Sequence, residues 1–282
     1  MNKTIYLIDE NFQSQHSGKC DLLIQINADS IFYAIVDKGQ DQLRVLVQAD
    51  FNDNTPKASV IDVIDKLLQT EAHLKYYFRK VKISVQTFKF TFIPAELYIA
   101  DNIPDYAKFI KPAMETDVIV NDIKSFHIKN AFLIPTNLQN KLNSGFHKPQ
   151  ILSQANSFIE GARKIHSDTS NELFLNIQSK SFEAAILNDN KLLFYNIFEY
   201  QNADEFNYFL LTVLQNLNID VNQTLITLSG EIKQSDEVYK RIEKYFANLI
   251  FADSKLLSNQ SDLFSEIPSH SIFPLLSLNL CE

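Results

Sequence analysis

Residues 22–36, LLIQINADSIFYAIV, are apolar almost throughout except at the polar interruption NADS. Short apolar runs bounded by turn-forming residues read as buried strands, too short for core helices. After DKGQDQ comes a third run, LRVLVQADF, so 21–51 predicts three consecutive strands. The period then changes. Val60, Ile61, Val63, Ile64, Leu67 and Leu68 recur at helical spacing behind Ser59 and Asp62, which resemble a capping box. Next, VKISVQTFKFTFIPAELY gives strand signals ending at Pro94, with room for a short helix after it.

The second half repeats that order. ELFLNIQSKSFEAAILNDNKLLFYNIFEY predicts three strands, with NDN as the turn between the second and third. NADEFNYFLLTVLQNLNI predicts a helix, with Phe206, Phe209, Leu210, Val213, Leu214 and Leu217 on one stripe and Asn202 and Glu205 at its start. TLITLSG predicts a strand, SDEVYKRIEKYF a helix and LIFAD a short strand. Between the halves, DVIVND and IKSFHIKNAFLIPT predict strands and ILSQANSFIEGARKIH a helix, while polar SDTSN at 167–171 reads as a hinge.

The two halves superpose without a gap when Leu22 is laid on Leu173, a shift of 151 positions. Leu22/Leu173, Ile26/Ile177, Ser30/Ser181, Ala34/Ala185 and Ile35/Ile186 are then identical. The shared order of three strands, helix and strand carries more weight than those identities. It predicts two related α/β lobes, with 1–167 holding the first copy plus extra elements over 88–167 and 168–282 the second.

Composition narrows the chemistry. The 282 residues are 45% hydrophobic and 21% charged, enough for a large packed core. With 5 Gly there is little material for glycine-built phosphate loops. A formal charge of −8 opposes binding to a nucleic-acid backbone, so no nucleic-acid partner is expected. No apolar run approaches a membrane span and the N-terminus carries no signal-peptide core, which predicts a soluble, cytoplasmic protein. Cys20 and Cys281 stand alone, and six dispersed histidines form no ligand pair, so no metal site is expected. Asp50, Asn52 and Asn54 have calcium-loop spacing, but Thr55 and Ile61 stand where the loop needs Gly and Glu, so a polar turn is expected. Lys80 and Lys82 alternate with Val81 and Ile83, as in a strand edge facing water.

Two βββαβα-type lobes in tandem resemble the actin-like ATPase superfamily, of ribonuclease H-like fold. More narrowly, the length, the phrase FTFIPAEL at 90–97 and the lobe order resemble an uncharacterised Bacteroidetes family of that fold (DUF3822-like). In active superfamily members each lobe opens with a strand ending near Asp-x-Gly, then small residues and a hydroxyl. The resemblance lays Gln25 on the first-lobe Asp, Asn27 on its Gly and Ser30 on the hydroxyl position. In the second lobe it lays Asn176, Gln178 and Ser181 on the same places, and Ser229-Gly230 on the Gly-Gly turn that holds adenosine. Both acids are amides here, and no glycine remains in either loop. An amide neither serves as general base nor matches a carboxylate as magnesium ligand, and side chains at former glycine positions crowd a phosphate.

The expectation is therefore an actin-like ATPase fold with degenerate phosphate loops, no catalytic residue and no resident cofactor. Its leading role is that of a non-catalytic scaffold with a protein partner. The alternatives are a divergent ATP- and magnesium-binding protein using Asn27, Ser30, Gln178, Ser181, Ser229 and Gly230, and a small-molecule kinase whose acid the sequence does not place. The apolar C-terminal HSIFPLLSLNL is expected to dock within its own chain.

Overall fold

The computed structural model describes residues 2–51, 59–111, 114–167 and 171–282. Residues 52–58 of the calcium-like spacing and 168–170 of the expected hinge lie outside them. In chain order the strands are β1 (Asn2–Ile8), β2 (Cys20–Ile26), β3 (Ser30–Asp37), β4 (Gln42–Asp50), β5 (Lys80–Val85), β6 (Phe90–Pro94), β7 (Thr116–Ile123), β8 (Ile128–Pro135), β9 (Gln150–Ser153), β10 (Glu172–Ile177), β11 (Ser181–Asn188), β12 (Lys191–Glu199), β13 (Leu225–Gly230) and β14 (Leu249–Phe251). The α-helices are α1 (Val60–Thr70), α2 (Ile103–Ile110), α3 (Thr136–Gly145), α4 (Gln154–Ile165), α5 (Ala203–Asn216), α6 (Glu237–Glu243) and α7 (Ser269–Ser277). The chain forms two compact units: Met1–Ser157 with Ser258–Glu266 and Leu278–Glu282, and Phe158–Leu257 with Ile267–Ser277.

The first unit is built on a six-stranded sheet of order β1-β4-β3-β2-β5-β9. The β2–β3–β4 meander is antiparallel, and β5 and β9 add in parallel. Ser59 caps α1 with its side chain, and the Asp62 carboxylate answers to the Ser59 main chain, which completes the capping box. Val63, Ile64 and Leu67 of α1 then bury against Leu22, Ile24, Ile26, Ile31, Tyr33 and Ile35. Each such side chain contributes about 1.5–3 kcal/mol on leaving water. A second sheet, order β6-β8-β7, is inserted after β5, with both pairings antiparallel.

Two sequence expectations change here. Asn2–Ile8, read only as lacking a leader, is a strand that closes the outer edge of β4 antiparallel. Lys82 does not decorate a sheet edge: β5 lies between β2 and β9, and the Lys82 side chain is buried. Its ammonium donates to the main-chain carbonyls of Leu278 and Asn279, both at 3.0 Å, and of Cys281. Three donors meet three acceptors, which offsets the cost of burying the charge, and burial still draws the amine below its ordinary pKa.

The second unit carries a five-stranded sheet of order β12-β11-β10-β13-β14. Its β10–β11–β12 meander is antiparallel, and β13 and β14 add in parallel, as β5 and β9 do in the first unit. Asn202 caps α5 by accepting from the Asp204 and Glu205 amides. Phe206, Leu210 and Leu214 pack on Leu173, Leu175, Ile177 and Phe182. The C-terminal helix α7 packs against β13 within the same unit, and its Phe273, Leu275 and Leu276 are fully buried. No helix among the described residues is long and apolar enough to cross a membrane.

Candidate functional site

The turn between β2 and β3 is held by its own side chains. Asn27 N–H donates to Ser30 O at 2.9 Å, and Asn27 Nδ2 reaches Ser30 Oγ at 3.3 Å. Gln25 Nε2 donates to Asn27 Oδ1 at 3.0 Å. The Ala28 N–H, at the apex, donates to Gln86 Oε1 at 2.9 Å, while Gln86 N–H returns to Ile26 O. A phosphate-cradling loop presents its amides outward; the amide at this apex points to a side chain.

The turn between β10 and β11 has the same main-chain closure, with Gln178 N–H donating to Ser181 O at 2.8 Å. Here Tyr200 adds two bonds: its N–H donates to Lys180 O at 3.0 Å and its hydroxyl to Gln178 O at 2.6 Å. Both turns therefore close between positions that the 151-residue shift equates. The strands that follow keep the correspondence, since Glu231 N–H donates to Ile177 O as Gln86 N–H does to Ile26 O.

Asn176, on the place of the expected acid, sits at the centre of a buried polar group. Its Nδ2 donates to Glu183 Oε2 at 2.6 Å on the facing strand, and Tyr195 Oη donates to Glu183 Oε1 at 2.7 Å. Gln178 Nε2 approaches Asn176 Oδ1 at 3.4 Å and Ser229 Oγ approaches it at 3.5 Å. Burial drives Glu183 up to about 7, against the two hydrogen bonds that favour its ionised form.

Gly230 ends β13 with φ +86°. A Cβ there would stand 2.2 Å from Ile177 O and 2.5 Å from Asn176 Oδ1, so the close approach of β13 to the end of β10 demands glycine. Ser229 turns its hydroxyl to Leu175 O at 3.3 Å.

Of the six candidate residues, Gln178, Ser181, Ser229 and Gly230 are gathered around the end of β10 in the second unit. Asn27 and Ser30 bond to each other in the first. Glu183 and Tyr195 were missed by the sequence reading. The signal was available: a gapless hairpin around QSK places Asn176 opposite Glu183, a carboxylate inside an otherwise apolar strand. Among the described residues no group of three or more His, Cys, Asp and Glu side chains converges as a metal site would require.

With the geometry in place, comparison with known proteins fixes the fold. A Bacteroides thetaiotaomicron protein with actin-like ATPase fold and unknown function superposes with a TM-score of 0.80 at 18% identity, covering 96% of this chain and 99% of that one. The PilM–PilN type IV pilus biogenesis complex contains a chain that superposes at 0.67 and 12% identity, covering 92% and 97%. Ethanolamine utilization protein EutJ from Carboxydothermus hydrogenoformans superposes at 0.50 and 6%, covering 94% and 89%. These likenesses give the fold expected from the tandem lobes, an actin-like ATPase fold. No curated protein matches the chain in sequence. A profile described as "Protein of unknown function (DUF3822)" matches residues 9–249, so the chain belongs to that family, as the lobe order and FTFIPAEL had indicated.

Proposed function

We propose that this protein is a catalytically inactive member of the actin-like ATPase fold that serves as a scaffold for a protein partner. The observation that carries this reading is the bond from Asn176 to Glu183. The amide at 176 donates to the buried Glu183 opposite; an aspartate there would set two carboxyl groups 2.6 Å apart and disfavour ionising both. The acid a nucleotide-hydrolysing site would use is thus replaced by a residue with a structural task.

Three further features support the reading. Ala28 N–H is engaged by Gln86, the carbonyls of Gln178 and Lys180 are engaged by Tyr200, and Gly230 is accounted for by its contact with β10. In the turn after β2 the Ala28 amide is already engaged by Gln86, and amide side chains stand at 25, 27, 176 and 178 where a magnesium–ATP site would want a carboxylate or a glycine, which weighs against that group. Glu183 does not supply the missing acid, because both its oxygens are occupied by donors and it is buried. The matching β2–β3–β4 and β10–β11–β12 meanders and the turn closures support an internal duplication in which both copies lost the same chemistry. That a protein of this fold occurs in the PilM–PilN complex supports a role in assembly, and the absence of a spanning helix among the described residues is compatible with a cytoplasmic setting. The test is ATP turnover by the purified chain with magnesium. The reading expects a rate equal to buffer, and sustained, protein-dependent phosphate release would overturn it.

A further inference from the structure

A cleft of about 890 Å³ opens within the first unit, in the size range of ligand pockets. It is lined by the segment that leaves β1, by the β3–β4 turn with the start of β4, and by 261–263. Main-chain bonds fix all three. Asp9 N–H donates to Arg44 O at 2.8 Å and Phe12 N–H to Asp9 O at 2.9 Å, while Leu43 N–H donates to Asn259 O at 2.9 Å and Phe264 N–H to Ser261 O at 3.0 Å. The cleft is therefore formed in advance of any ligand, which lowers the cost of binding.

Arg44 lines this cleft and is 9% exposed. Of its five N–H donors, one bonds Asp9 Oδ2 at 2.8 Å and one bonds Gln40 Oε1. The others meet no hydrogen-bond acceptor among the described residues, since Asp37 Oδ2 stands 3.7 Å away, so an acceptor on a ligand would complete them. Four carboxylates, of Asp9, Glu10, Asp37 and Asp262, line the cleft with that one guanidinium. Asp9 is taken up by Arg44 and Asn11, whereas Glu10 and Asp262 are exposed and bond no side chain among the described residues. Half-buried Phe12 and Leu263, 42% exposed, add apolar surface.

We propose that this cleft binds a basic peptide segment of a protein partner. Lysine or arginine side chains of the segment meet Glu10 and Asp262, main-chain carbonyls accept from Arg44, and aliphatic stems lie on Phe12 and Leu263. The excess of carboxylates repels phosphates and acidic chains. A free polyamine carries no acceptor for Arg44, and among the described residues no three acidic, His or Cys side chains converge to hold a bare metal ion. The inference rests on the scaffold reading for the partner being a protein. Phosphate release from ATP would overturn that reading alone, because the cleft shares no residue with the two turns.

Calorimetric titration of the full chain in about 50 mM salt with a blocked hexapeptide of alternating leucine and lysine tests the cleft. Saturable binding below about 1 mM is expected, at least about tenfold tighter than spermidine, with no binding of the leucine–glutamate hexapeptide. Glu10→Gln combined with Asp262→Asn should weaken the lysine peptide about tenfold. Glu96→Gln combined with Glu243→Gln removes the same charge at exposed positions that do not line the cleft, and should leave binding within about twofold. All four positions are exposed, and melting curves check that the variants fold. No saturable binding, spermidine or the glutamate peptide equal to the lysine peptide, or an equal effect of the two pairs of substitutions would overturn the proposal.

Discussion

Asn176 Nδ2 donates to Glu183 Oε2 at 2.6 Å, and both side chains are buried. On the proposed reading, in which 176 takes the place of the superfamily's aspartate, that bond gives the amide a structural task. Asn176→Asp removes the donor and adds a second buried carboxyl group, so it should destabilise the fold by about 3 kcal/mol at pH 7.5. Adding Glu183→Gln should recover most of that loss, because the new Gln donates to the new Asp. Urea unfolding of the two variants measures both numbers; equal stability of Asn176→Asp and wild type would mean that the bond does not hold the site.

The same carboxyl group gives a pH signature. Its folded-state pKa, about 7, lies above the ordinary value of 4.5. The folded state therefore binds a proton that the unfolded chain has already released. The stabilisation from this group is complete below about pH 4.5, falls as pH rises and is lost above about 7, a span of roughly 3 kcal/mol. Glu183→Gln should flatten the stability profile across that window. An unchanged slope between pH 5 and 7 would assign the slope to other groups.

Gly230→Ala separates a backbone role from a ligand role. The added Cβ meets Ile177 O at 2.2 Å and the backbone has φ +86°, so the variant should lose about 2 kcal/mol or more without any nucleotide present. Val85, which pairs with Ile26 as Gly230 pairs with Ile177, has no such constraint and shows that the two turns part company here. Full stability of Gly230→Ala would return the glycine to a binding role.

Lys82 fastens the last residues of the chain. Lys82→Met removes the donor to three main-chain carbonyls and should cost about 2–4 kcal/mol. It should also make 278–282 the first segment cut in limited proteolysis. Protection of that segment equal to wild type would show that apolar contacts of Leu278 hold it without the ammonium.

Much of this architecture was legible in the residues. The apolar runs 22–26 and 30–36 and their counterparts at 173–177 and 181–187 pair as hairpins, and Ser59/Asp62 and Asn202/Glu205 cap α1 and α5 as their spacing indicates. These are local signals, carried by period and capping chemistry. What was not legible depends on distant partners. The sheet of β6, β8 and β7 joins segments separated by α2 and intervening loops, and β1 is a seven-residue run whose partner β4 lies 40 residues on. Lys82 reads as a surface residue because alternation fixes the face it occupies, while the carbonyls that cover that face come from the far end of the chain. At the site, the amide at 176 was visible, and its partner Glu183 was within reach of the hairpin register that sets it opposite, whereas Tyr195 comes from the next strand and needs the fold to place it.

Titration calorimetry of the full chain with ATP and magnesium tests the central claim most directly. On the proposed reading the two turns hold no triphosphate, so no binding heat and no shift in melting temperature are expected at millimolar nucleotide. Saturable binding at micromolar ATP, abolished by substitutions at Asn27 or Gln178, would contradict it.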